Sequence, residues 1–314
     1  MDLPCVWDAP RPHVHPLTTP AGAVLTVEAP ADHPWHHALW FTIKFVNGEN
    51  FWEEYGEFGT LRTTEVARVD DGVPALIEWI APDGDTVRLS EVRTITTHRV
   101  DDDAYAIDWR ERLTVPDDTV LDRTPFTTWG GYGGLTFRGG PDFTDTVIRL
   151  ADGTDRDRTL GDPSPWLSIE GTPHTWTEPH DPPDSDTAPG SLPSRSAAEA
   201  SSSEGSPRTL QVPRSATVRA DKPERTTRND GADKAGLLIF DHPDNPRSPS
   251  PWYASTKSDT YGEGWANFVN AALLWDEPLT IAANESLELS YRVIVYDGHW
   301  DTDRINAEYA RWIG

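Results

Sequence analysis

The chain has one cysteine and one methionine among 314 residues, lysine at only four positions (44, 222, 234 and 257), and no long apolar run. Each shortage excludes something. A single thiol, Cys5, can neither close an internal disulfide nor build a thiolate metal cluster, so a structural zinc site based on cysteine is ruled out. No window approaches the roughly 20 consecutive apolar residues that span a bilayer, and Met1 to Pro12 lacks a basic region followed by an apolar stretch, so a cytoplasmic protein is expected. Basic residues are scarce too: 27 Lys and Arg stand against 52 Asp and Glu, giving a formal net charge of -25 spread along the whole length. Such a field repels nucleic acid and anionic lipid, so neither is an expected partner. The pattern looks like adaptation to a salt-rich cytosol.

What the chain does have is alternation. Leu39, Phe41, Ile43 and Phe45 point one way while Trp40, Thr42 and Lys44 point the other. Tyr105, Ile107, Trp109, Leu113 and Val115 make a second apolar face with Glu111 inserted in it, and Leu287, Leu289, Tyr291, Val293 and Val295 make a third. Further strands are expected near 23 to 28, 60 to 69, 73 to 81, 86 to 99, 125 to 138, 145 to 150 and 235 to 240. The one expected helix is terminal, from about 301 to 313: Asp301 or Thr302 caps it, and Ile305, Tyr309 and Trp312 form its buried stripe. The segment from 178 to 232 is Pro, Ser, Asp, Gly and Arg with almost no large apolar residue, which predicts a flexible insertion rather than a second core. Residues 1–314 therefore read as one all-β domain, a large antiparallel β-sandwich closed by a C-terminal α-helix.

Two aromatic-flanked Asp-His-Pro elements stand out, because imidazole, guanidinium and carboxamide groups cost free energy if buried without partners. In Asp32-His33-Pro34-Trp35-His36-His37-Ala38-Leu39-Trp40-Phe41, His36 shares the parity of Trp40 and Lys44 and is expected to face a cleft, with His33 on the preceding turn and His37 packed at an edge. Downstream, Asn47-Gly48 marks a turn ahead of Trp52-Glu53-Glu54, from which either Glu53 or Glu54 can reach back to the histidines as an orienting group or a base. In Trp129-Gly130-Gly131-Tyr132-Gly133-Gly134 the four glycines suit close backbone approach beside an aromatic platform, with Arg138 nearby, rather than a phosphate cradle. The prolines of Asp241-His242-Pro243-Asp244-Asn245-Pro246-Arg247 fix an extended loop that can present His242, Asn245 and Arg247, with Trp252 following.

Together these residues resemble a family of unknown function labelled PmoA-like. The resemblance rests on the Pro16 to Gly22 opening, the run from Asp32 to Phe41, the Asn47-Gly48 to Trp52 element, the Gly131 to Leu135 loop, His242-Pro243 to Arg247 with Trp252-Tyr253, and Tyr291-Arg292-Val293. It departs at His37 and Ala38, where that family often has Arg and Gly. The resemblance implies a galactose-mutarotase-like β-supersandwich and a carbohydrate substrate; it does not imply the membrane oxygenase of the label, which requires transmembrane helices.

The leading expectation is a carbohydrate-processing enzyme of mutarotase or lyase type that needs no cofactor. His36, His242 and Glu53 would be the catalytic groups, with the two histidines as acid and base; Arg247, Asn245, Lys44, His33 and Arg138 would bind the substrate, and Trp129, Tyr132 and Trp252 would be the stacking rings. The alternatives are a non-catalytic carbohydrate-binding protein, and an oxygenase or hydrolase with a divalent metal on His33, His36 and His242. The sequence leaves the oligomeric state open.

Overall fold

Strand pairing puts the alternating segments into three antiparallel sheets. The computed structural model describes residues 3–67, 72–124, 132–174, 234–257 and 266–314. Among these, a nine-stranded sheet runs in the order Asp155–Arg156, Phe143–Leu150, Trp166–Pro173, Ala235–Asp241, Ser286–Asp297, Ala104–Thr114, Val87–Asp101, Val73–Ile80 and Thr60–Val66. A seven-stranded sheet runs Cys5–Val6, His13–Val14, Leu39–Ile43, Gly133–Arg138, Phe268–Ala271, Pro251–Ser255 and Arg158–Pro163. A small third sheet joins Leu279–Ile281, Thr119–Asp122, Phe45–Val46 and Glu49–Asn50.

The two large sheets face each other across one apolar core. Leu39, Phe41, Ile43, Leu135, Phe137, Trp252 and Val269 from the seven-stranded sheet meet Trp79, Ile107, Trp109, Leu237, Ile239, Leu289 and Val293 from the nine-stranded one. This is the all-β sandwich that the alternation predicts. The described residues all belong to one compact unit, residues 1–176 and 229–314. The expected insertion at 178–232, like Trp129 and most of the strand start expected at 125, lies outside the described residues. The expected strand at 23 to 28 reduces to single bridges, Thr18 with Val24, Thr26 with Gly139 and Glu28 with His37.

Glu111, out of place in an apolar face, is explained by a charge cluster inside the core. Arg93 Nε lies 2.8 Å from both Glu91 Oε1 and Glu111 Oε1, and the indoles of Trp79 and Trp109 donate to the same two carboxylates. Burial pushes the Glu111 carboxyl well up, with Arg93 opposing. Arg93 also donates from Nη1 to Pro12 O at 2.7 Å and from Nη2 to Phe41 O at 3.4 Å, so it fastens the start of the seven-stranded sheet to the nine-stranded one. Such a cluster stabilises only while complete: removing one partner of a buried pair costs about 3–5 kcal/mol.

The outer face of the nine-stranded sheet is covered by the expected helix, Thr302–Ile313, whose N-cap Asp301 accepts from the Arg304 amide at 2.8 Å. Ile305, Tyr309 and Trp312 lay its stripe on Leu238, Phe240, Ile294 and Tyr296. No described helix is long and apolar enough to cross a membrane. The outer face of the seven-stranded sheet has no helix over it among the described residues, and it carries most of the polar and aromatic residues of interest.

Candidate functional site

Cross-strand register builds this face row by row. His13, Trp40, Thr136, Asn270 and Tyr253 lie opposite one another on five successive strands, so their side chains emerge together on the side away from the core. Arg138, Phe268 and Ser255 form the next row. Gly134 lets the strands close up here: its φ is +115°, and a Cβ would come within 2.3 Å of Ala271 O, as the close-approach reading of the glycine loop requires.

On these rows sits a continuous aromatic surface. Trp52 stacks on Tyr132 at 4.7 Å and lies 5.7 Å from Trp40, while Tyr253 is 5.7 Å from Tyr132 and 6.2 Å from the parallel ring of Trp275. Trp35, Tyr132, Tyr253 and Trp275 are half-buried, so this surface has accessible rings as well as buried ones. Asn270, in the middle of the row, donates to Thr136 Oγ1 at 2.7 Å, and its Oδ1 is buried without a hydrogen-bond partner.

Charged groups flank the rings on two sides. Arg138 Nη2 donates to Asp32 Oδ2 at 2.6 Å and Nη1 to His36 Nδ1 at 3.1 Å, while His33 Nδ1 donates to the same Asp32 oxygen at 2.8 Å and its ring stacks on His36 at 4.5 Å. Burial raises Asp32, but the bonds from His33 and Arg138 outweigh it and hold the carboxyl below its ordinary range. Burial, then Arg138, pushes His36 well below the usual imidazole value. Since a guanidinium can only donate, neutral His36 accepts at Nδ1 and carries its proton on Nε2. On the other side, Lys44 pairs with Glu53, and burial lowers the ammonium against the pull of that carboxylate. Burial lowers both His33 and Arg11, and the Glu53 carboxylate is among the charges that oppose it.

The expected site residues divide accordingly. His33, His36, Lys44, Glu53, Tyr132 and Arg138 come together on this face, and the parity argument for His36 holds, its ring lying 5.4 Å from Trp40 although Ala38 turns through φ +58° between them. His36 is nevertheless not arranged as a general acid or base, because its accepting nitrogen is occupied by Arg138.

The second Asp-His-Pro element does not join it. His242 sits at the end of Ala235–Asp241 in the nine-stranded sheet, with its ring 5.1 Å from Trp312 of the helix on that sheet's outer face, and the sandwich core lies between it and His36. The pairing of His36 with His242, whether as acid and base or as metal ligands with His33, is therefore corrected. His33 Nδ1 and His36 Nδ1 are already engaged by Asp32 and Arg138.

Asn245, Arg247 and Trp252 are corrected with it. Asn245 donates to Asp241 Oδ1 and Ser290 O and accepts from Ser290 N, all within 2.7–2.8 Å; it is a staple of its loop. Arg247 donates to Leu273 O and Pro278 O at 2.9 and 2.7 Å, closing strand ends. Trp252 faces the core at 0% exposure with its indole on Ser164 O, and the outward ring is its neighbour Tyr253.

Sequence reasoning missed Asp32, Asn270, Tyr253, Trp275 and His13, whereas Glu54 does reach back to the histidine run as expected of one of the two carboxylates. Of the missed residues, Tyr253 follows from parity once Trp252 is assigned inward, and Asp32 from its place in the first Asp-His-Pro run. Glu54 accepts from His37 Nε2 at 2.7 Å and is held below its ordinary range chiefly by that bond, against burial. His13 is pushed down by burial, against the bond to Arg11 O.

Neither the curated proteins nor the solved structures give a match to this chain. A family model matches residues 5–310, and the chain belongs to that family, one of unknown function, DUF6807.

Proposed function

We propose that the protein is a carbohydrate-processing enzyme whose substrate lies on the outer face of the seven-stranded sheet. The observation that carries this reading is the aromatic surface of Trp40, Trp52, Tyr132, Tyr253 and Trp275, bordered by hydrogen-bonding charged pairs. A sugar has an apolar C–H face that rests on such rings and hydroxyls that need fixed donors and acceptors at the rim. Here His36 Nε2–H and Asp32 stand at the rim, and the unpaired Asn270 Oδ1 is a further acceptor in the middle of the row. The resemblance to the PmoA-like family points to the same substrate class.

Glu53 and Lys44 replace the histidine pair as the acid–base groups. A carboxylate beside an ammonium whose pKa is lowered by burial can take a proton from one sugar oxygen and return one to another, which is all that mutarotation requires. A non-catalytic carbohydrate-binding protein is the second reading, favoured by the engagement of His36 Nδ1 by Arg138.

The test is a panel of monosaccharides and keto-glycosides, each followed by calorimetric titration and by turnover. Glu53→Gln should keep binding and lose turnover by about 10²-fold or more. Binding without turnover by the unmodified protein leaves the second reading; no binding to any sugar overturns both.

A further inference from the structure

A second cluster lies on the same face, one strand further toward the edge. His13, on the strand His13–Val14, is paired with Trp40, and its ring is 5.1 Å from that of His37. His37 is bridged in turn to Glu28. His13 Nε2, His37 Nδ1 and a Glu28 carboxylate oxygen all lie within 4.8 Å of one another.

The hydrogen bonds on the far sides of both rings decide what these atoms carry. His13 Nδ1 is 2.8 Å from Arg11 O, a pure acceptor, so Nδ1 bears the proton and Nε2 the lone pair. His37 Nε2 is 2.7 Å from the Glu54 carboxylate, so there Nε2 bears the proton and Nδ1 the lone pair. Both lone-pair nitrogens are buried and make no hydrogen bond. They stand 3.2 and 3.9 Å from Glu28 Oε1, itself an acceptor. Three acceptors thus converge on one point with no donor among them, in residues that are 2% (His13) and 5% (His37) exposed. With both rings neutral, that arrangement is repulsive unless a metal ion occupies the centre; the competing arrangement is an extra proton on one imidazole, shared with Glu28.

We infer that His13, His37 and Glu28 form a binding site for a divalent transition-metal ion. Two imidazoles and a carboxylate are the donor set of zinc, manganese and non-haem iron centres. Ligands about 2.1 Å from a tetrahedral ion stand about 3.4 Å apart, so the His13–Glu28 separation of 3.2 Å already suits an ion, while His37 Nδ1, 3.9 Å from Glu28 Oε1 and within 4.8 Å of the other ligand atoms, must move inward on binding. The outer bonds are those that orient metal-bound imidazoles: a backbone carbonyl behind His13 and a carboxylate behind His37. The surrounding charge is favourable, since Glu28, Glu53 and Glu54 outnumber the two nearby cations, Arg11 and Lys44, by one. The Glu28 side chain is 38% exposed, so coordination positions remain open to water or to an oxygen of a bound ligand. His37 lies 6.5 Å from Trp40, which puts the ion beside the aromatic surface.

The site is independent of the sugar reading, because ion binding is measured on the chain alone. The full-length protein, stripped with a chelator, is titrated with Zn2+ by calorimetry and with Co2+ by its visible absorption. One equivalent should bind, with the absorption of a nitrogen- and oxygen-ligated cobalt. His13→Ala, His37→Ala and Glu28→Gln should each weaken binding at least tenfold, and Glu54→Gln about 10- to 100-fold as a positioning residue. His242→Ala should leave it unchanged. Glu28→Gln alters a partly exposed side chain and keeps the test valid if a histidine variant fails to fold, as judged by circular dichroism. Absence of stoichiometric binding, or binding indifferent to Glu28→Gln and to whichever histidine variants fold, would overturn the site and leave a proton-mediated ion pair in its place.

Discussion

Arg138→Met tests the electrostatic frame of the site. Arg138 is 2% exposed and makes the 2.6 Å bond to Asp32, whose side chain is 6% exposed. The variant keeps the apolar stem but strands a buried carboxylate with only His33 as partner, and leaves His36 Nδ1 without its donor. A broken buried pair of this kind costs about 3–5 kcal/mol. The pH dependence follows from the signs. In the unmodified protein Asp32 titrates below its ordinary value, so its contribution is present above the unfolded pKa, about 3.9, and is lost as pH falls through the folded one. Without Arg138, burial dominates and the folded pKa rises; the penalty is then largest at neutral pH and is relieved by protonation as pH falls. The stability difference should therefore shrink between about pH 7 and about pH 4.5. Urea unfolding followed by tryptophan fluorescence at both pH values measures it, and Asp32→Asn on the Arg138→Met background should recover part of the loss at neutral pH. A cost below about 1 kcal/mol, or one that does not change with pH, would refute the reasoning.

Two further outcomes separate core from surface. Trp252→Ala should cost about 3–5 kcal/mol by urea unfolding, whereas the adjacent Tyr253→Ala should cost about 1 kcal/mol yet weaken sugar binding by about tenfold on the titration above. Glu111, raised by burial, contributes stability that is fully present below its unfolded pKa and is lost as pH rises toward the folded one, so Glu111→Gln, which mimics the protonated form, should flatten the decline of stability from about pH 5 to about pH 7. An unchanged slope in that variant would show that the proton resides elsewhere in the Arg93 cluster.

The sequence by itself determined whatever depends on neighbours two to four residues apart. The alternation from Leu39 to Ile43 and from Leu287 to Val295 sorted inward from outward side chains, and the parity of His36 with Trp40 put that histidine on the right side of the sheet. The helix Thr302–Ile313 was legible for the same reason, since its cap and its stripe are local. Two chemically similar Asp-His-Pro elements, however, carry no information about distance: strand order sent one to each outer face of the sandwich. Only tertiary structure could show that Asn245 and Arg247 spend their donors on their own loop and on strand ends, or that Trp252 rather than Tyr253 points into the core. The convergence of His13 with Glu28 and His37 was likewise beyond reach, because it is fixed by the register of His13 against Trp40 and by the single bridge between Glu28 and His37. Register between strands far apart in sequence is set by the total burial of both faces at once, a global sum that no local pattern contains.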